Sequence, residues 1–180
     1  MKNSIFALAA CAALLVATSI RPATAADPAA SGTQPKDPIM QIDDILSQAG
    51  AFFLATVDGD QPKLRPLGAH HVVDGRLWIG VGEFKNVYRQ LAANPKCELV
   101  ALLPGGGRWL RWTGRADFAE DAERERLEEI FLEAMPGLRH IYVKQPGHRM
   151  MCFTLAASRA ELIDMMPPGE VLFDESGTTP

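Results

Sequence analysis

The sequence predicts a mainly β domain with helices (α+β), arranged as a closed or split antiparallel barrel. Three observations predict it. Six or seven short stretches between residues 52 and 165 have the alternating or continuous apolar rhythm of strands. The first three are joined by Asp58-Gly59-Asp60-Gln61 and Asp74-Gly75, turn chemistry that sends the chain back antiparallel and fits parallel βαβ units badly. Two or three helical segments intervene, and no internal repeat or second domain is visible.

The chain has 180 residues, 47% of them apolar, which is room for one domain with a substantial core. Its 22 carboxylates outnumber 18 Lys and Arg, so no broad phosphate-neutralising face exists and a generic nucleic-acid binder is excluded. Three cysteines cannot build a disulfide scaffold.

Residues 1–25 read as an export leader. Lys2 precedes an uncharged apolar run over residues 5–16, Arg21-Pro22 breaks it, and Ala23-Thr24-Ala25 offers small residues to a signal peptidase. The run is shorter than the roughly 20 apolar residues of a spanning helix. Leu8-Ala9-Ala10-Cys11 is a competing lipoprotein box, disfavoured because the apolar run continues past Cys11; an uncleaved anchor is the third alternative. Cleavage after Ala25 removes Lys2 and Arg21 and no carboxylate, leaving 16 cations against 22 anions, a charge of −6. The mature protein is then expected in the periplasm or outside the cell, with no stable membrane insertion. Of the cysteines it keeps, Cys97 and Cys152 either pair in that oxidising compartment or act as small buried hydrophobes within strands.

Residues 26–37 are rich in Ala, Pro, Ser, Gly and Thr and read as a disordered tether to a domain at 38–166. Asp37-Pro38 is an N-cap followed by proline at the first helical position. Ile39, Ile42, Ile45, Leu46 and Ala49 form one face, and Gly50 stops the helix. Strands are expected at 52–57, 64–73 and 76–81. A helix follows at 86–93 and ends at Asn94-Pro95. Strands at 97–103 and 108–118 flank a Gly105-Gly106-Gly107 hairpin turn, which lacks the frame of a phosphate loop. Leu127, Ile130, Phe131 and Ala134 mark a helix over 120–135. Closing strands are expected at 150–155 and 159–165, with a frayed tail over 167–180.

No serine has a nucleophile-elbow context. His70 and His71 are adjacent on a strand, so they point to opposite faces and cannot chelate one ion. The most informative constellation is Lys63-Leu64-Arg65-Pro66-Leu67-Gly68 followed by Gly82-Glu83-Phe84-Lys85-Asn86-Val87-Tyr88. Arg65 stands between apolar neighbours in a strand and needs an anionic partner: a ligand phosphate, or Glu83 or Asp60. Lys85 precedes a helix N-terminus, where a cation is unfavourable unless an anion lies between. Gly80 and Gly82 mark either a bulge or a close backbone approach by a flat ligand.

The run 54–69, beginning Leu54-Ala55-Thr56-Val57, resembles the pyridoxamine 5′-phosphate oxidase-like, FMN-binding split-barrel family. So do Asp74-Gly75-Arg76-Leu77-Trp78-Ile79, the run 85–96 beginning Lys85-Asn86-Val87-Tyr88, and Trp109-Leu110-Arg111-Trp112-Thr113-Gly114. The resemblance spans about residues 39–163. It implies a six-stranded split barrel and a homodimer with FMN at the interface. Arg65, Lys85 and Asn86 would hold the phosphate. Pro66, Leu67, Gly68 and Ala69 would line one side of the flavin, and Ile79, Gly80 and Val81 the other. The oxidases that name the family carry a lysine about where His70 stands and a Ser-Arg-Lys run where this chain has Glu83-Phe84-Lys85. Pyridoxamine phosphate oxidation is therefore not expected. The resemblance implies instead a flavin-dependent oxidoreductase passing electrons to a small-molecule acceptor, with a non-catalytic flavin- or haem-binding protein as the alternative. No catalytic acid or base can be assigned; His70 is the one candidate, against a core or interface role.

Overall fold

Asp37 opens the first helix as its sequence demands. Its carboxylate accepts the amide of Ile39 at 2.8 Å, and Pro38 starts helix α1 (Pro38–Ala49), which ends at Gly50 with φ 70°. The computed structural model describes residues 36–166 and 168–177. The export leader, the Cys11 alternative and nearly all of the tether lie outside the described residues.

Eight strands follow: β1 (Phe52–Asp58), β2 (Gln61–Leu67), β3 (His70–Val73), β4 (Arg76–Gly82), β5 (Lys96–Leu102), β6 (Arg108–Phe118), β7 (Met150–Asp164) and β8 (Glu170–Asp174). Helix α2 (Asn86–Ala93) precedes β5, and α3 (Asp121–Ala134) follows β6, continued by a 3-10 turn Pro136–Leu138 and the single turn α4 (Arg139–Tyr142). All pairings are antiparallel, in the order β2-β1-β5-β6-β7-β4-β3, with β8 on β7.

That order forces the sheet to curl. β2 and β3 stand at opposite ends of a seven-strand path, about 29 Å apart if the sheet were flat. Yet only Gly68 and Ala69 separate them in sequence, a link that reaches about 11 Å at most. The two ends must therefore meet, and the sheet closes into a barrel split along the β2–β3 seam. One strand over 64–73 was expected; two are found, because the chain changes partners at Gly68, pairing with β1 before it and with β4 after it. The Asp74-Gly75 turn between β3 and β4 has φ of 51° and 73°, as a two-residue hairpin requires.

Two further differences concern β7. It is continuous where two strands were expected. Ala157 and Ser158 together face Gly114, a bulge with Ala157 at φ 44° that imitates a turn in the sequence. At the bulge β7 exchanges β4 for β8 as its second neighbour. The tail is not frayed over 170–174. There β8 pairs with β7, Phe173 packs edge-on against Trp112 with centroids 6.2 Å apart, and Glu175 donates its amide to the Ser158 carbonyl at 2.7 Å.

The inner face of the barrel buries Phe52, Leu54, Ile79, Leu99, Trp112 and Phe153, plugged by Ile42, Ile45 and Leu46 of α1. A second cluster lies outside, where α3 lays Leu127 and Phe131 over Val73, Trp78, Met150 and Cys152. The outer face of β3-β4-β7 is thus covered, whereas Phe53, Leu64 and Leu102 on the outer face of β1, β2 and β5 are exposed. Cys97 and Cys152 are buried and unpaired, with β6 between their strands. Burial pushes both thiols up to about 12, so they act as hydrophobes rather than as a disulfide.

Candidate functional site

The split in the barrel is the natural place for a ligand, because there β2 leaves β3 and backbone walls part. Leu67 and Gly68 stand on one lip. The other lip is the end of β4, and from it the chain runs through Glu83 and Phe84 into α2.

Arg65 points from β2 toward the inner face, opposite Leu54. Its guanidinium donates to the Leu54 carbonyl at 2.9 Å and to Gln90 Oε1 on α2 at 2.7 Å. Gln90 is buried and serves as a hub: the same oxygen accepts Thr56 Oγ1 at 2.7 Å, and its Nε2 donates to Asp58 at 3.2 Å. Partial burial lowers the Arg65 pKa, although a guanidinium stays protonated. Of the two protein partners considered from sequence, Glu83 pairs instead with Arg149 at 3.6 Å. Arg65 thus latches β2 to α2, one helical turn from Asn86.

Lys85 and Asn86 lie where the sequence places them. Lys85 is the N-cap of α2 in extended conformation, and no side chain caps the helix. Its ammonium is exposed, 5.9 Å from the centre of the Phe84 ring. The amide ends of the helix therefore face outward beside a cation, an arrangement that favours a bound anion. Asn86 Oδ1 accepts a hydrogen bond from Arg89.

The β4 side-chain positions are taken up by the chain's own packing. Ile79 and Val81 belong to the inner core. Gly80 faces α3, where a Cβ would meet Phe131 and the Met150 sulfur at 3.2 Å; at Gly82 it would meet the Phe84 ring at 2.6 Å. These glycines make room for the chain's own side chains, not for a flat ligand over their missing Cβ atoms. What remains for a ligand is the backbone rim beyond the hydrogen bond from Gly80 N to Ala69 O (3.0 Å), with Pro66 and Gly68 exposed opposite.

His70 is a structural residue. Its Nδ1 lies 3.0 Å from Asp43 on α1, and its ring packs edge-on against Phe52. Burial lowers its pKa more than Asp43 raises it, so the ring is held neutral. His71 turns the other way, onto Phe131. Sequence reasoning missed two features: the Gln90 hub, and the stacking of His148 on Phe84 at 3.8 Å, which ties the segment after α4 to the rim. Gln90 had a signal, a polar residue in the Val87–Leu91 apolar stripe; His148 had none.

A family profile described as pyridoxamine 5′-phosphate oxidase matches residues 40–160. The chain belongs to this family. No match was found among curated protein sequences. Among solved structures, a NimC/NimA family protein from Clostridium acetobutylicum is 28% identical with a TM-score of 0.66, over 74% of this chain and 90% of that one. A heme-binding protein from Mycobacterium smegmatis is 14% identical with a TM-score of 0.60, over 79% of this chain and 60% of that one. A pyridoxamine 5′-phosphate oxidase-related, FMN-binding protein from Nostoc punctiforme is 13% identical with a TM-score of 0.57, over 73% and 87%. The latter two share the fold, and family membership brings the split barrel to this sequence.

Proposed function

We propose that the mature chain is an exported FMN-binding homodimer that passes electrons from its flavin to a small, electron-poor organic acceptor. The observation that carries this reading is Lys85 at the uncapped start of α2, with Arg65 latched to the same helix through Gln90. These residues fit a dianionic phosphate: Lys85 supplies charge, the first α2 amides supply directed donors, and Arg65 has N–H groups beyond the two it spends on Leu54 and Gln90. When bound, FMN supplies the redox chemistry, while Arg65, Lys85 and Asn86 position it and the rim of Pro66, Leu67 and Gly68 shields one side from water. Similarity to the NimC/NimA family protein and the FMN-binding Nostoc protein supports the same reading. A protein charge of −6 after leader removal disfavours anionic acceptors.

The second reading is a non-catalytic flavin- or haem-binding protein. It draws on His148, whose Nδ1 donates to the Ile141 carbonyl at 3.2 Å and so leaves Nε2 as the nitrogen that could ligate a haem iron. The test separates the two. Purified protein should show a flavin spectrum, and after anaerobic photoreduction its flavin should be reoxidised by a nitroaromatic or quinone faster than by oxygen alone. A haem spectrum, or reoxidation no acceptor accelerates, supports the binding-protein reading instead. Export is checked by intact mass from the native host: the expected chain begins at Ala26, and one retaining residues 1–25 or carrying acyl groups on Cys11 rejects it.

A further inference from the structure

A second cavity lies away from the α2 site. It has a volume of about 430 Å³ and is walled by the start of α1, the start of β4, and β6, β7 and β8, within the roughly 300–1,000 Å³ span of small-molecule sites. Its apolar lining includes Ile39, Leu77, Leu155 and Phe173. Two of its lining residues hold polar atoms without a hydrogen-bond partner among the described residues: Trp112 Nε1 and Ser158 Oγ, each on a residue about 1% exposed. Buried polar atoms normally have partners, and two orphans on one cavity need an account. Ser158 follows Ala157, a non-glycine residue held at φ 44°, so the bulge that sets this serine keeps a costly backbone state.

We propose that this cavity binds a small uncharged organic molecule with an apolar body and a carbonyl oxygen. The chemistry of the lining fixes that class. An indole N–H can only donate, so the occupant must offer an acceptor to Trp112; the Ser158 hydroxyl donates to a carbonyl lone pair equally well. An anionic occupant would be stripped of water without a free counter-ion, and a cationic group cannot accept from the Trp112 N–H. Arg76 at the rim already reaches Asp117 at 3.5 Å and lies over Trp78 at 4.5 Å, and Glu175 would repel an anion. The remaining wall is hydrocarbon and aromatic, which sets the body of the ligand. The site is independent of the α2 anion site: its lining takes Gly75, Arg76 and Leu77 at the start of β4, the other end of that strand from Glu83 and Lys85.

The test uses 6-propionyl-2-(dimethylamino)naphthalene, an uncharged aromatic ketone whose emission reports its surroundings, and 2-ethylnaphthalene, which has no oxygen. On the full-length mature protein the ketone should bind with blue-shifted emission, whether or not FMN is present. Ser158→Ala removes one hydroxyl and should weaken the ketone roughly 3- to 10-fold, the size of one neutral hydrogen bond, while leaving the hydrocarbon's affinity unchanged. Trp112→Phe removes the N–H together with one ring of the indole, so it should change the affinity of both probes and weaken the ketone by the larger factor. If Trp112→Phe fails to fold, Ser158→Ala alone gives the same comparison. Displacement of the ketone by FMN places it in the flavin site and overturns the proposal. So does equal loss of both probes, or no binding by a protein whose cavity holds only ordered water.

Discussion

Phe53→Glu is expected to divide the protein into monomers and to lose the flavin with the dimer. The reason lies in which half of the barrel is covered. Outside β3, β4 and β7 the chain supplies its own lid, with Phe131 and Leu127 of α3 fully buried. Outside β1, β2 and β5 no described residue forms such a lid. Phe53 is 45% exposed, Leu64 67% and Leu102 57%. The register makes them one patch: Phe53 faces Pro66 on one side and Val100 on the other, Ala55 faces Leu64, and Leu102 faces Trp109. A contiguous apolar sheet face of this kind marks an interface, and its two-fold self-pairing would bring two seams close together, where a shared cofactor can bridge them. A carboxylate at Phe53 would be buried there unpaired, at a cost of about 3 kcal/mol or more, or over 100-fold in the dimer constant. In the monomer that carboxylate meets water, so the monomer should still fold, and the melting temperature should fall only by the stability that dimerisation adds. Light scattering together with flavin absorbance decides it. A dimer that survives Phe53→Glu, or wild-type protein that is a monomer with FMN bound, removes the shared-site picture.

Much of this architecture was legible because local and global signals agree. The Asp37-Pro38 start, the Asp74-Gly75 turn and the Leu127–Phe131 stripe each state a conformation in residues that touch one another. What escaped was set by partners distant in the chain. Nothing local says that residues 64–73 must break at Gly68; the break follows from closure of a seven-strand path. Nothing near Ala157 distinguishes a bulge from a turn, since the deciding residue is Gly114 across the ladder. β8 is five residues long and acquires its stability from Trp112, some sixty positions earlier. The candidate site divides in the same way. The start of α2 at Asn86 was legible because helix starts are local events. The packing at Gly80 was not, because a missing side chain does not reveal that Phe131 stands beside it.

Lys85→Ala should weaken FMN about 10- to 150-fold and leave riboflavin nearly unchanged, since the residue is assigned to the phosphate alone. That range corresponds to one charge-assisted contact of about 1.5–3 kcal/mol. Lys85 is exposed and no ion pair among the described residues holds it, so its removal should not alter the melting temperature. Arg65→Ala should behave differently, and the contrast is informative. Arg65 donates to the Leu54 carbonyl and to Gln90, whose other contacts reach Thr56 and Asp58. Truncation leaves the Leu54 carbonyl short of a donor and loosens α2 from β1, at about 1–3 kcal/mol, or roughly 3–10 °C in melting temperature. Because α2 presents the amides that would hold the phosphate, Arg65→Ala should reduce the preference for FMN over riboflavin as well. Calorimetric titration of apo-protein with each flavin, alongside thermal unfolding without cofactor, reads all four quantities. If Lys85→Ala costs FMN and riboflavin the same, the start of α2 is not a phosphate site. If Arg65→Ala keeps the full wild-type preference for FMN, the arginine is only a latch, and the phosphate is held by Lys85 and the helix.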